Sequence, residues 1–165
     1  MRFTINEAAR ATGGSFSIDP VSDQTEITSL TWDSRNVEPG ALYVALPGER
    51  VDGHAFAAAA VAAGAVCVLA QHALDQASAD EIAAAGAAVI QVPDTQAAVT
   101  ALARAWRDRL EGRVIGITGS TGKTTTKNLV RDVLAAAGSV CATKGNQNNE
   151  LGVPNTVLAA QVDTR

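Results

Sequence analysis

The run Gly116-Ile117-Thr118-Gly119-Ser120-Thr121-Gly122-Lys123-Thr124-Thr125-Thr126 constrains this chain more than any other stretch. An apolar run, 114–117, precedes it, and a helix-like pattern, 127–137, follows. Strand, Gly-rich loop and helix in that order are the setting a phosphate-binding loop requires. Glycines let backbone N–H groups approach phosphate oxygens, a lysine reaches the β and γ phosphates, and the hydroxyl after it ligates Mg²⁺. Here those residues are Gly119, Gly122, Lys123 and Thr124. The first glycine of the generic pattern would fall on Ile117, so the motif present is the tighter Gly-x-x-Gly-Lys-Thr core. The competing reading is a Gly-rich turn with no ligand.

The remaining sequence reads as an α/β protein of two parts. With 165 residues, 47% of them hydrophobic, the chain can bury a substantial core. A formal net charge of −4 and the absence of a basic face argue against a nucleic-acid partner. Alanine runs such as 57–60 are too short to span a membrane, and Met1-Arg2-Phe3-Thr4 does not open a signal peptide, so a cytoplasmic protein is expected. Cys67 and Cys141 sit in apolar runs and read as small hydrophobes, with no metal or disulfide role.

In chain order, Thr4 and Glu7 form a capping box for a short helix that stops at Gly13-Gly14. Strands are expected at 15–18 and 25–32, and the second feeds a polar turn containing Asp33, Ser34 and Arg35. That turn is either a solvated loop closed by a local hydrogen bond or a site open to a polar ligand. A strand at 41–46 leads to a second polar loop, 47–54, in which Arg50 has the planar fork suited to phosphate. Asp52-Gly53 marks the turn into a helix at 55–63, with His54 read as a helix-start residue. His72, after a strand at 65–70, has no acidic or cysteine neighbour at ligand spacing and is assigned no chemistry. Ser78 and Glu81 repeat the capping-box spacing before a helix ending at Gly86, and 88–92 reads as a buried strand. Strands alternating with helices predict a parallel or mostly parallel sheet.

Pro93-Asp94 is the expected domain boundary, dividing residues 1–93 from residues 94–165. Asp94 caps a helix whose apolar positions Val99, Leu102, Ala103, Trp106 and Leu110 recur at helical spacing. Beyond the glycine-rich loop, Leu129, Val130, Val133 and Leu134 form the expected buried face of the next helix, and 139–142 a second strand. A polar loop, 143–153, then leads to a helix begun at Pro154 and running to Arg165. One βαβ unit leaves sheet edges uncovered, so the second domain is expected to be incomplete.

Three motifs in order resemble the Mur ligase family. Thr31-Trp32-Asp33-Ser34-Arg35 with Pro39-Gly40, Gly48 and Asp52-Gly53-His54 is similar to the family's N-terminal domain, and 116–125 to the ATP loop of its central domain. Gly145-Asn146-Gln147-Asn148-Asn149-Glu150-Leu151-Gly152-Val153-Pro154 resembles the segment of the member that adds D-alanyl-D-alanine. The sister enzyme that adds the third residue usually has Thr-Asn-Gly in the phosphate loop and lacks the Asn-rich run. The resemblance implies an ATP-dependent amide ligase joining D-alanyl-D-alanine to UDP-N-acetylmuramoyl-tripeptide through an acyl phosphate, in peptidoglycan precursor synthesis and hence in cell wall biogenesis, cell shape and division. It implies ATP on Gly119, Ser120, Thr121, Gly122, Lys123, Thr124 and Thr125, with Lys123 and Thr124 catalytic and Mg²⁺ on Thr124. It implies substrate contacts from Ser34, Arg35 and Arg50, and from Asn148 and Asn149 near the junction of ATP and muramoyl peptide. The full-length enzyme is expected to be a monomer. Because the chain ends before the family's acidic Mg²⁺ ligands, modified lysine and C-terminal domain, no turnover is expected from 165 residues alone. A non-catalytic nucleotide or UDP-sugar binding module, or another P-loop ligase such as folylpolyglutamate synthetase, stays open at this point.

Overall fold

The computed structural model describes residues 1–48, 51–145 and 149–164, in two compact units: Arg2–Leu102, and Ala103–Arg165 with Met1. The first unit is built on a five-stranded sheet. Its strands are β2 (Ser15–Ile18), β4 (Ser29–Thr31), β5 (Ala41–Val44), β6 (Ala65–Ala70) and β7 (Ala88–Gln91), following a short β1 (Phe3–Thr4) that pairs with β3 (Glu26–Ile27). The spatial order is β2-β7-β6-β5-β4, with β4 to β7 mutually parallel and β2 antiparallel on the edge of β7. A mostly parallel sheet is what the alternation of strands and helices predicts.

Period-two alternation splits the strand residues between two faces. Ala41, Tyr43, Val68 and Val89 pack with Ala57, Ala60 and Val61 of helix α2 (Ala57–Ala62) and Ile82 of α3 (Gln76–Ala84). Leu42, Val44, Leu69 and Ile90 on the other face are also fully buried, the pattern of a parallel sheet covered on both sides.

The helices start where local chemistry dictates. α1 (Ile5–Thr12) opens with both halves of the capping box, Thr4 Oγ1 accepting from Glu7 N–H and the Glu7 carboxylate from Thr4 N–H, and closes on Gly13 at φ 67°. Asp94 Oδ1 accepts the N–H groups of Gln96 and Ala97 at the start of α4 (Thr95–Arg107). Val99, Leu102, Ala103 and Trp106 are buried as their spacing predicts, whereas Leu110 lies beyond the helix.

Several local expectations fail. Asp75, not Ser78, caps α3: its carboxylate accepts both the N–H and the hydroxyl of Ser78, because an aspartate three residues earlier is the better-placed acceptor. The strand expected at 25–32 is broken at Thr28, whose N–H leaves the ladder for Gly40 O. A 3-10 turn, Gly53–Phe56, precedes α2, so the helix begins later than residue 55.

In the second unit α5 (Lys123–Ala135) starts at the lysine itself, and α6 (Gly152–Ala159) contains Pro154 near its start. α6 stops at Ala160, which turns extended, instead of running to the chain end. The runs 114–117 and 139–142 form no strand among the described residues, and Val114 and Ile115 remain exposed. Nor is the α5 face buried as expected: Leu129 is 62% and Val133 72% exposed. A strand exists only as a ladder with a neighbour, which an apolar run cannot supply by itself. Leu110, Ile115, Ile117, Val130, Val140 and Val157 line an apolar cavity of about 350 Å³ in this unit. Trp106 Nε1 donates to Ala160 O at 2.9 Å and, with Leu158, forms its small buried core. No helix among the described residues is long and apolar enough to cross a membrane.

Candidate functional site

Parallel strands send their carboxyl ends to one edge, so the loops that follow them converge there. After β4 comes the turn holding Asp33, Ser34 and Arg35; after β5, Pro47-Gly48 and Asp52; after β6, Gln71 and His72. Asp33 organises its turn. Its Oδ1 accepts Arg35 N–H at 3.1 Å and Arg35 Nε at 2.8 Å, while Oδ2 accepts Arg35 Nη2 at 2.8 Å and Asn36 Nδ2 at 3.1 Å. These bonds, that from the Arg35 side chain first, hold the Asp33 carboxyl down at about 2. The local bonds of the solvated-turn reading form, and the Arg35 side chain is 86% exposed. Ser34 is half-buried beside it.

The loop after β5 is held from below. Gly53 N–H donates to Leu46 O at 2.9 Å, and the fully buried Tyr43 donates its hydroxyl to Gly53 O at 2.9 Å. Burial, followed by the charges of Asp33 and Asp52, pushes the Tyr43 hydroxyl pKa up and keeps it a donor. Asp52 accepts the N–H and Nδ1 of His54 and the Nε2 of His72; these bonds, the His54 backbone N–H first, hold its carboxyl at about 2. His72 does have an acidic neighbour, twenty residues back in the chain and 2.9 Å away in space. Sequence spacing carries no signal for a pair formed by two adjacent parallel strands. Arg50, the third expected substrate contact, lies outside the described residues.

The glycine-rich loop, the candidate phosphate loop, belongs to the second unit. Gly119 and Gly122 take φ of 149° and 77°, backbone that an L side chain adopts only with strain, and Gly122 is the residue before α5. Lys123 and Thr124 therefore open the helix, where the first-turn N–H groups and the positive end of the dipole point at the loop. Ser120, Thr121, Thr124 and Thr125 are exposed, and Lys123 Nζ donates back to Gly119 O. A phosphate in this loop would meet backbone donors, an ammonium group and a hydroxyl suited to Mg²⁺, so the residues present fit ATP and its metal.

One cation of this region escaped the sequence reading. Lys127, one turn beyond Lys123, donates Nζ to Thr143 O at 2.5 Å and Gly145 O at 3.1 Å, tying α5 to the loop that enters the Asn-rich run. Its helical spacing from Lys123 was the available signal. Asn149 Oδ1 accepts Gly152 N–H at 2.8 Å and so engages the start of α6; Asn148 lies outside the described residues.

Comparison with known proteins follows the same division. The model of the Mur ligase family catalytic domain matches residues 26–107, and that of the Mur ligase middle domain residues 117–164. The UDP-N-acetylmuramoyl-tripeptide--D-alanyl-D-alanine ligase of Bacillus subtilis is 39% identical over 161 residues, 98% of this chain and 34% of its own length. Among solved structures, MurF from Acinetobacter baumannii superposes with a TM-score of 0.83 at 34% identity, covering 99% of this chain and 34% of that one. MurF ligase from Thermotoga maritima, in complex with ADP, gives 0.67 at 32% identity over 80% of this chain and 29% of that one. The chain thus spans about a third of the length of the relatives it matches. With a mostly parallel sheet, a glycine-rich loop at a helix start and both family models matched in sequence order, the chain belongs to the Mur ligase family.

Proposed function

We propose that this chain supplies the nucleotide-sugar domain, residues 1–93, and the opening of the ATP-binding domain, residues 94–165, of a ligase that joins D-alanyl-D-alanine to UDP-N-acetylmuramoyl-tripeptide in peptidoglycan precursor synthesis. The observation that carries the reading is the phosphate loop, whose two positive-φ glycines open directly onto Lys123 at the start of α5. Likeness to MurF proteins along nearly the whole chain supports the choice of substrate.

When bound, ATP would supply its γ-phosphate to the substrate carboxylate, leaving ADP and an acyl phosphate, from which the incoming amine displaces phosphate and loses a proton to leave an amide. The residues of this chain bind and neutralise. Backbone N–H groups of 119–124 hold phosphate oxygens, and Lys123, released from Gly119 O, offsets charge on the phosphoryl group in transfer. Thr124 holds Mg²⁺ through its hydroxyl. Ser34 and Arg35 contact the UDP portion: Arg35 turns its exposed guanidinium from Asp33 to a diphosphate, and Arg50 adds a second fork. Asn149, together with Asn148 of the same run, is assigned to the junction of ATP and the muramoyl peptide.

Calorimetric titration of the 165-residue chain with UDP-N-acetylmuramoyl-tripeptide tests the first half. Binding is expected, weakened roughly tenfold or more in Arg35→Ala, the loss expected for one charge-assisted contact. Unchanged affinity in both Ser34→Ala and Arg35→Ala refutes the assignment. Titration with Mg²⁺-ATP, against Lys123→Ala, tests the second half in the same way.

A further inference from the structure

The loops after β5 and β6 are joined by a polar cluster that phosphate chemistry does not use. His54, only 4% exposed, bridges them. Its Nε2 accepts the backbone N–H of Gln71 at 2.9 Å and of His72 at 3.4 Å, and its Nδ1 lies 2.6 Å from Asp52 Oδ1. A ring nitrogen that accepts carries no proton, so the proton sits on Nδ1 and is donated to Asp52. The same assignment argues against a cation, although Asp52, His54 and His72 bring three donor atoms within 4.8 Å of one another. A metal-bound histidine directs its other N–H at an acceptor. His54 Nε2 faces two donors, so the cluster is a hydrogen-bonded clamp.

His72 completes it. Its Nε2 is 2.9 Å from Asp52 Oδ2 and its Nδ1 is 3.1 Å from Ala73 O. Both partners are acceptors: a neutral imidazole has one N–H and satisfies one of them, whereas an imidazolium satisfies both. The ring stacks on His54, with centroids 3.6 Å apart and planes 20° from parallel, and its side chain is 52% exposed, open to exchange a proton with solvent.

We propose that Asp52, His54 and His72 are positioning residues of the nucleotide-sugar pocket, with the His72 imidazolium closing a clamp that fixes Asp52-Gly53 against Gln71-His72. The proposal rests on reading the carboxyl edge as that pocket. Among the described residues, the ionisable groups around the clamp are Tyr43 from β5, bonded to Gly53 O, Asp33 from the neighbouring turn, and Asp75 beyond His72 on its own segment. The Ala73 carbonyl and then Asp52 raise the His72 pKa above its ordinary 6.5. The sign follows: stability from His72 is complete below the unfolded value and disappears as pH rises through the folded one. Above that point one of its two bonds breaks and the clamp loosens.

The test uses the 165-residue chain, Asp52→Asn, which keeps the shape but removes the charge, and His72→Gln, which keeps a donor but does not titrate. Long-range ¹⁵N–¹H spectra are expected to show a proton on His54 Nδ1 and His72 titrating above the ordinary histidine range, with the elevation lost in Asp52→Asn. Affinity for UDP-N-acetylmuramoyl-tripeptide is expected to fall roughly fivefold as pH rises through that titration, the order of a modest proton–ligand coupling, and to stay flat in His72→Gln. A His72 that titrates at or below its ordinary value, or a His72→Gln variant with the wild-type pH dependence, overturns the proposal. A chain with the raised titration that binds no probe at any pH refutes the pocket reading, and with it the positioning role.

Discussion

Gly53→Ala sets two opposed effects against each other. Gly53 is not among the glycines with positive φ, so alanine can adopt its backbone, and stiffening the unfolded chain would stabilise by about 0.4–1 kcal/mol. Against this, a Cβ would lie 2.8 Å from Leu46 N, 2.9 Å from Leu46 O and 3.3 Å from the Ala45 carbonyl carbon. All three are backbone atoms and cannot rotate aside. Relief requires moving Gly53, which stretches both its N–H bond to Leu46 O and the Tyr43 bond to its carbonyl. Overpacking costs about 1–3 kcal/mol and each weakened hydrogen bond about 0.5–1.5 kcal/mol, so the steric side wins by about 3 kcal/mol. Native-state hydrogen exchange of the β5 and β6 amides reads this directly, and roughly hundredfold faster exchange is expected from a loss of that size. Gly13→Ala is the control: it has open space around the Cβ but a φ of 67°, so its loss of about 1 kcal/mol arises from handedness alone. Exchange that is unchanged or slower in Gly53→Ala would refute the steric argument.

Two further outcomes follow from the charges and thiols. Asp33 and Asp52 both have carboxyls held near 2 against an ordinary 3.8, so their contribution is complete above the ordinary value and lost as pH falls toward 2. Urea midpoints measured across that window should fall less steeply in Asp33→Asn than in wild type, and identical slopes would contradict the pairing with Arg35. Cys67, fully buried with its thiol pushed up to about 12, should resist alkylation at neutral pH until the chain unfolds, while the half-buried Cys141 reacts first. Mass spectrometry of the alkylated peptides distinguishes the two, and early labelling of Cys67 would contradict its burial.

What the sequence made legible is what local chemistry determines. Thr4 with Glu7 and Asp94 with its helix are caps in which donor and acceptor lie within three residues of each other, and both form. The parallel order of β5 to β7 follows from alternating strands and helices, whereas β4 joins β5 in parallel through the helix-free turn at 32–40. Asp75 was missed because Ser78-x-x-Glu81 has the same spacing as a true capping box and nothing in the string ranks the two. The runs 114–117 and 139–142 carry the right residues for strands, yet apolar content measures only the capacity to be buried. Pairing needs a neighbour in register, and Val114 and Ile115 remain 57% exposed without one.

The candidate sites divide on the same principle. The glycine-rich loop could be read as a candidate from the string because its residues are contiguous and its backbone is dictated by glycine: Gly119 and Gly122 take positive φ values and Lys123 begins a helix. The Asp52, His54 and His72 clamp could not, because twenty residues separate its ends and only the parallel pairing of β5 with β6 brings them to one edge. Within that clamp the roles are set by unlike partners, two backbone donors for His54 and two acceptors for His72. Two histidines stacked at 3.6 Å therefore play different parts, and the one closer to solvent, His72, is the one whose charge the clamp depends on.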